Sequence, residues 1–402
     1  MTISIGDRLV GPGERMFITA ALGSVHNGNL DRARNAVAGL ALAGADAVGV
    51  QFYGPDLMAK GTTASTRLAL EHGLPDEEGN LQQYKEKNLM HPSWHAELRR
   101  KTEEAGVAYI VSLFGPNELE FLRDAFTRER DGQQGIKPDA IRLESLEHAD
   151  PWLVADAATL AIEMDIPLII ETGMKSPFSV EQALAAARGA QVLLEDGIML
   201  GPIAELAPEH VRSLAVQYGV LVGSFDRTDL ARDDENTPQE RALTALSAGA
   251  QGAASFNVQM RLDNSRKQER DGSVLPEELR QIIEHIRAIE AVDYQGFMPR
   301  AGAKRPVNQP APTENKKLGN LRRTVIALTT QIAGTVVGRH TKGLRTVRAS
   351  FGLPVGHMPA GRLRRELAPG EVIASQRNLD TTARAQSMPQ PSSNGPTTTP
   401  RR

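Results

Sequence analysis

Cysteine is absent from all 402 residues, which removes disulfides, thiolate metal sites and a cysteine nucleophile at one stroke. A metal, if bound, has to draw on His, Asp or Glu. Aromatic residues are scarce at 4%, so the chain has few platforms on which bases could stack. A dominant charge sign is missing too: 46 Lys and Arg stand against 49 Asp and Glu, and composition gives no general polyanion-binding surface. Together these absences argue against a nucleic-acid partner. No apolar run approaches the roughly 20 residues that cross a bilayer. The first residues also lack a basic stretch followed by a hydrophobic one. A cytoplasmic chain with no membrane partner is expected.

What is present is a repeated grammar of apolar strand, polar tip and amphipathic helix. Residues 16–22 read as a buried strand that runs into Gly23 and the turn Ser24-Val25-His26-Asn27-Gly28. Leu30, Ala33, Val37, Leu40 and Ala41 then recur at helical spacing. Further strands are predicted at 47–52, 107–112, 140–143, 167–171, 191–194, 220–224 and 253–257, with helices between them. Helix starts are marked by Asp150-Pro151, by Ser179 with Gln182, by Pro208, and by Thr237-Pro238 with Glu240. Leu279, Ile282, Ile283, Ile286 and Ile289 line the last helix, which is expected to end near Val292.

Eight strands alternating with eight helices close naturally as a (β/α)8 barrel, whose chemistry sits at the C-terminal strand tips. An open doubly wound sheet is the rival. No Gly-x-Gly-x-x-Gly opens a helix after the first strand, which weakens the rival as a dinucleotide binder. The stretch 53–92 is long and polar, as an active-site cover or a plain insertion would be.

The barrel is assigned to residues 1–295. Residues 296–320, rich in Pro, Gly, Lys and Asn, read as a linker. Residues 321–377 form a small basic unit, with short strands at 324–327, 335–338 and 344–348 and a turn at Pro369-Gly370. The Ser-, Thr-, Pro- and Gln-rich end, 378–402, reads as a disordered tail.

The residues at the strand tips resemble those of the sialic acid synthases, which condense phosphoenolpyruvate with an amino sugar. Ala20-Ala21-Leu22-Gly23 and His26-Asn27-Gly28 are similar to the family's Ala-Glu-Ile-Gly and His-Asn-Gly. Ala43-Gly44-Ala45-Asp46-Ala47-Val48 matches a family run in full. Arg142-Leu143-Glu144-Ser145-Leu146-Glu147 is similar to Lys-Ile-x-Ser-x-Glu, and Glu171-Thr172-Gly173-Met174 to Ser-Thr-Gly-Met. Val222 to Thr228 resembles Val-Gly-Tyr-Ser-Asp-His-Thr. Toward the C-terminus, Arg348, Gly352-Leu353-Pro354 and the run from Leu367 to Ile373 resemble an antifreeze-like domain. The resemblance implies a homodimer in which each small domain caps its partner's barrel, with Arg348 reaching into the partner's site.

It also implies roles. Glu147 matches an active-site glutamate that manages protons, and Arg142 stands where a phosphate-binding lysine would be. Gln51, Ser112 and Ser145 sit at strand tips and orient a ligand, with Arg348 added from the small domain. Each has a plainer reading as a salt bridge or local cap. The family holds manganese or magnesium with two histidines, and Glu195 and Arg227 occupy those positions here. A guanidinium has no lone pair for a metal, so Arg227 is expected to supply the positive charge instead, paired with Glu195 or Asp226. Asp226 and Arg227 are accordingly candidate catalytic residues, and no metal ligand is assigned. Glu171, Glu195 and Asp226 also read as a hard-oxygen metal site. The family's lysines on strands two and eight are Gly49 and Ser255. A carboxylate at Glu171 repels phosphate. The expectation is a synthase-like enzyme, its partners phosphoenolpyruvate and an amino sugar; the alternative is a catalytically degenerate relative that binds a sugar phosphate or acts as a scaffold. A barrel aldolase would need a Schiff-base lysine at a strand tip, and none is present.

Overall fold

A computed structural model describes residues 1–54, 89–130, 135–173, 179–199, 207–227, 237–263 and 273–291. Of the C-terminal part it describes 322–327, 330–333, 335–338, 341–342, 344–349, 361–369, 371–373 and 379–380. The expected cover within 53–92, the linker 296–320 and most of the tail therefore lie largely outside the described residues.

Two short strands that the sequence reading passed over come first. β1 (Ile3–Ile5) and β2 (Arg8–Val10) pair antiparallel, with Ile5 opposite Arg8. Gly6 and Asp7 make the two-residue turn, and Gly6 takes φ 57°, the positive value such turns need.

The barrel strands follow: β3 (Phe17–Leu22), β4 (Ala47–Phe52), β5 (Ala108–Leu113), β6 (Ala140–Leu143), β7 (Leu168–Glu171), β8 (Val192–Met199), β9 (Leu221–Arg227) and β10 (Ser255–Met260). Each pairs parallel with its neighbour, and β10 pairs with both β9 and β3, closing the ring. A two-residue strand, β11 (Ser273–Val274), extends the edge of β10. The helices are α1 (Leu30–Leu42), α2 (Trp94–Ala105), α3 (Pro116–Arg130), α4 (Pro151–Met164), α5 (Ser179–Ala186), α6 (Glu209–Tyr218), α7 (Pro238–Ala250) and α8 (Pro276–Glu290). The fold is a (β/α)8 barrel.

The expected caps form on two helices. Asp150 accepts from the backbone N–H groups of Trp152 and Leu153 at α4, and Thr237 accepts from that of Glu240 at α7. α5 instead begins at Ser179 itself, whose Oγ lies 3.1 Å from His148 Nε2.

Strand alternation divides the core. Outward residues such as Ile18, Val48, Val111, Ile141, Leu194 and Phe256 pack under the helices in the main cluster. Inward residues at the strand starts, Phe17, Ile110, Ile169, Leu193 and Leu221 among them, form a second cluster with Ile3, Ile5 and Val10 of the hairpin. The hairpin thus plugs the barrel floor with apolar side chains. Asp46 ties this end together: it accepts from the Ile18 backbone N–H at 2.9 Å and pairs with Arg15 at 2.7 Å and Arg287 at 2.8 Å.

In the C-terminal part, β12 (Arg322–Ala327) pairs antiparallel with β14 (Leu344–Ala349). β13 (Val336–Val337), β15 (Gly361–Leu363) and β16 (Leu379–Asp380) make a second small sheet. β16 lies at the very start of the stretch read as a tail, whose remainder is outside the described residues. Leu379 is buried with Ala327, Val337, Leu363, Leu367 and Ile373, and an apolar cluster of this kind recruits a strand even from a polar stretch. Trp152, at the start of α4, packs against that cluster.

Candidate active site at the barrel mouth

Above the apolar floor the inward positions turn polar. Arg142 on β6 is wholly buried, between two equally buried carboxylates, Glu171 on β7 and Glu195 on β8. Its Nη2 donates to Glu195, lying 3.3 Å from Oε1 and 3.2 Å from Oε2, and its Nε lies 3.9 Å from Glu171 Oε1. Asn257 on β10 bridges the acids through Nδ2, donating to Glu171 Oε1 at 2.8 Å and Glu195 Oε2 at 3.2 Å. Ser255 Oγ donates to Glu195 Oε1 at 3.1 Å, and Ser145 Oγ to Glu171 Oε2 at 3.0 Å.

Two glycines make room for this network. A Cβ on Gly49 would stand 3.0 Å from Arg142 Nη1, so the bare backbone of β4 is what the guanidinium lies against. A Cβ on Gly223 would collide with Ser255 Oγ. Among the described residues Arg142 Nε and Nη1 have no hydrogen-bond partner, a demand that a buried guanidinium normally satisfies with water or a ligand.

The other expected binding residues lie nearby. Gln51, Ser112 and Arg142 are in direct register across β4, β5 and β6, and all three are buried. Gln51 and Gln259 converge over Gly23 at the end of β3. Glu147 lies in a 3-10 turn, Glu147–Ala149, just beyond β6, where its backbone N–H donates to the Glu144 carbonyl at 2.9 Å. His26 is buried edge-on against Trp94, with ring centroids 5.4 Å apart, and its Nδ1 accepts from the Gly28 backbone N–H. The side chains of Arg227 and Arg348 lie outside the described residues.

Asp226 is elsewhere. Phe225 is the inward residue at the end of β9, and Asp226 faces the helix layer, where its carboxylate lies 2.8 Å from Arg241 Nη1 on α7. The grouping of Glu171, Glu195 and Asp226 as one hard-oxygen site is therefore corrected: strand alternation puts Asp226 on the opposite side of the wall. Glu195, one of the two partners expected for Arg227, has Arg142 as an ion-pair partner.

Behind β8, Thr172 Oγ1 donates to Asp196 Oδ1 at 2.6 Å, and His210 Nδ1 lies 3.4 Å from Asp196 Oδ2. A cavity of about 380 Å³ opens beside the mouth among Phe52, Tyr53, Met90, His91, Asn117 and Phe121.

Sequence reasoning missed Asn257 and Arg241. The signal for Asn257 was available. On β10, Ser255, Asn257 and Gln259 alternate with Phe256, Val258 and Met260, a strand with one polar face, and in a barrel that face points inward.

The described residues offer no cluster of metal ligands: no three of their His, Asp or Glu side chains are grouped to hold an ion. Glu195, at one family ligand position, already accepts from a guanidinium, a hydroxyl and an amide. These residues do not fit a divalent cation.

The structure is a (β/α)8 barrel whose C-terminal mouth gathers buried charge and hydrogen-bonding groups, the end at which barrels of this class carry their sites. The sequence model of the NeuB family matches residues 36–296, and the chain belongs to that family. It is 25% identical over 161 residues to the pseudaminic acid synthase of Campylobacter jejuni. That alignment covers 40% of this chain and 42% of the relative, so the chain spans less than half the length of the curated relatives it matches. Among solved structures it is similar to the spore coat polysaccharide biosynthesis protein SpsE of Bacillus subtilis. There the TM-score is 0.69 at 19% identity, with 94% of this chain and 99% of that one covered. It is also similar to the N-acetylneuraminic acid synthetase of Leptospira borgpetersenii, with a TM-score of 0.55 at 17% identity and coverage of 79% and 95%. These two likenesses concern the fold.

Proposed function

We propose that this chain is a sialic-acid-synthase-like enzyme that joins phosphoenolpyruvate to an amino sugar to give a nonulosonic acid. The observation that carries the reading is Arg142. It is a buried guanidinium at the mouth of a NeuB-family barrel, flanked in register by Ser112 and Gln51, with Nε and Nη1 open to hydrogen bonding. Those nitrogens hold an anionic oxygen of the three-carbon acid as a charge-assisted pair. Ser145, Ser112 and Gln51 orient the ligands. The methylene carbon of phosphoenolpyruvate attacks the sugar aldehyde, Glu147 manages the proton that the aldehyde oxygen takes up, and water adds at the neighbouring phosphate-bearing carbon, from which inorganic phosphate leaves. The proposal includes a cytoplasmic homodimer in which Arg348 of one chain's small unit completes the partner's mouth.

A second reading, a sugar-binding relative that does not condense, is favoured by Glu171 and Glu195, because two buried carboxylates beside Arg142 oppose a phosphate. Calorimetric titration separates the two. Under the first reading phosphoenolpyruvate binds, and Arg142→Ala weakens it by about tenfold or more, the loss of one charge-assisted pair. Binding of an N-acetylhexosamine without phosphoenolpyruvate supports the second. Binding of neither sinks both. Light scattering at the mass of one chain would remove the dimer from the proposal.

A further inference from the structure

We infer that Arg142 is a built-in cation: its guanidinium occupies a pocket of carboxylate oxygens that would otherwise take a divalent metal, and it makes the barrel interior metal-independent. The inference does not depend on whether condensation occurs.

Three points converge on it. The oxygens of Glu171 and Glu195 all face donors: Glu195 Oε1 meets Ser255 and Arg142, Glu195 Oε2 meets Asn257 and Arg142, Glu171 Oε1 meets Asn257, and Glu171 Oε2 meets Ser145. Apart from the guanidinium these are five side chains, two carboxylates, two hydroxyls and an amide, on β7, β8, β10 and the turn after β6, the ligand types that suit magnesium, calcium or manganese. Glu171 and Glu195 are also directly paired across β7 and β8, so the backbone register itself sets the two carboxylates side by side.

The second observation is the seat of the guanidinium. It enters over Gly49, where any Cβ would press on Nη1, and its Nη2 lies against both oxygens of Glu195. A metal ion bound to those oxygens would sit within a few ångström of a fixed positive charge, and like charges in a buried site repel strongly. The third point is general chemistry: a guanidinium has no neutral form at accessible pH. Raising the pH therefore does not empty the pocket by neutralising a guanidinium, as it would with a buried lysine of lowered pKa.

The consequence is that removing the guanidinium uncovers a cation site. The test uses the full chain, manganese as the probe, and two readouts: the melting temperature in chelator against millimolar manganese, and the free-manganese paramagnetic signal. The unaltered protein is expected to melt at the same temperature in both media and to leave the free signal undiminished. Arg142→Gln is expected to gain manganese binding, seen as a rise of about 3–5 °C in melting temperature through preferential binding to the folded state. Arg142→Lys, which keeps a charge, is expected to remain indifferent. Manganese binding by the unaltered protein that Glu195→Gln abolishes would overturn the inference. So would a folded Arg142→Gln that ignores the metal. Should Arg142→Gln fail to fold, the titration of the unaltered protein against Glu195→Gln still decides.

Discussion

Arg142 and His95 show how burial assigns opposite electrostatic tasks to single residues. Arg142 lies in the interior with two carboxylates facing it. Taking it away by Arg142→Ala strands Glu171 and Glu195 in the interior, and breaking a buried pair in this way costs roughly 3–5 kcal/mol. Urea unfolding of the variant reads that loss directly. His95 on α2 is wholly buried, with Nδ1 2.7 Å from the Tyr109 hydroxyl and its ring edge-on to Phe52. Burial lowers its pKa to about 3, while burial pushes the Tyr109 phenol up. The unfolded chain therefore binds a proton at His95 that the folded chain refuses between about pH 6.5 and 3. Stability falls as pH drops through that window. From pH 7 to pH 5 the contribution amounts to roughly 2 kcal/mol. Chemical denaturation at the two pH values is expected to show that loss in the native protein and not in His95→Gln.

At this scale the sequence was a partial guide to the site. Motif order pointed to Gln51, Ser112, Arg142, Ser145 and Glu147; the structure sets Gln51, Ser112 and Arg142 in one register, brings Ser145 to Glu171, and puts Glu147 in the turn beyond β6. Motif order misjudged Asp226, because a charged residue at a strand tip reads the same whether it faces the barrel or the helices. Only the phase of the alternation, set here by Phe225 turning inward, separates the two.

Among the elements, β4 and β6 have the bounds the sequence indicated, being apolar runs closed by clear turn signals. β8 and β9 extend further than expected, to Met199 and Arg227, because Glu195-Asp196 and Asp226-Arg227 read as loop, while a strand accepts buried acids that are paired: Glu195 with Arg142 inside the barrel, Asp226 with Arg241 under the helices. The β1–β2 hairpin was missed although Gly6-Asp7 between short apolar stretches is a hairpin signal. Its strands of three residues fall below the length at which alternation stands out.

The extension of β8 and β9 has a testable cost. Gly197 on β8 leaves no room for a side chain, since a Cβ would meet the Phe225 backbone carbonyl of β9, whereas at Gly223 the obstacle is the Ser255 hydroxyl. A hydroxyl can rotate and a sheet carbonyl cannot. Gly223→Ala is therefore expected to cost about 1–3 kcal/mol, the usual range for overpacking, and Gly197→Ala more. Equilibrium unfolding of the two variants would rank them, and the reverse order would show that β8 and β9 yield more readily than their pairing implies.

For the whole molecule, the succession of strands and helices sufficed to give the barrel, because each unit carries its own period and cap. The closure of β10 onto β3 is a long-range pairing for which no local pattern exists. The same holds for the C-terminal sheets: their strands are two to six residues long, and their cluster of six buried apolar side chains is assembled from well-separated stretches. The hairpin plug is likewise a long-range packing event. Burial of Ile3, Ile5 and Val10 is worth roughly 5 kcal/mol by apolar transfer. A chain lacking residues 1–12 is expected to melt well below the full chain in a thermal scan, and an unchanged melting temperature would show that the barrel floor holds without its cover.

That plug also bears on the order of events in the proposed condensation. With the floor filled by isoleucine and valine, ligands enter and leave the barrel through one door, and the molecule nearest Arg142 stands furthest from it. A reaction of two substrates here is therefore sequential with compulsory order: the inner ligand boards first, the outer one closes the queue, and departure runs in reverse. Dead-end inhibition by an analogue of the outer ligand should then be uncompetitive toward the inner one.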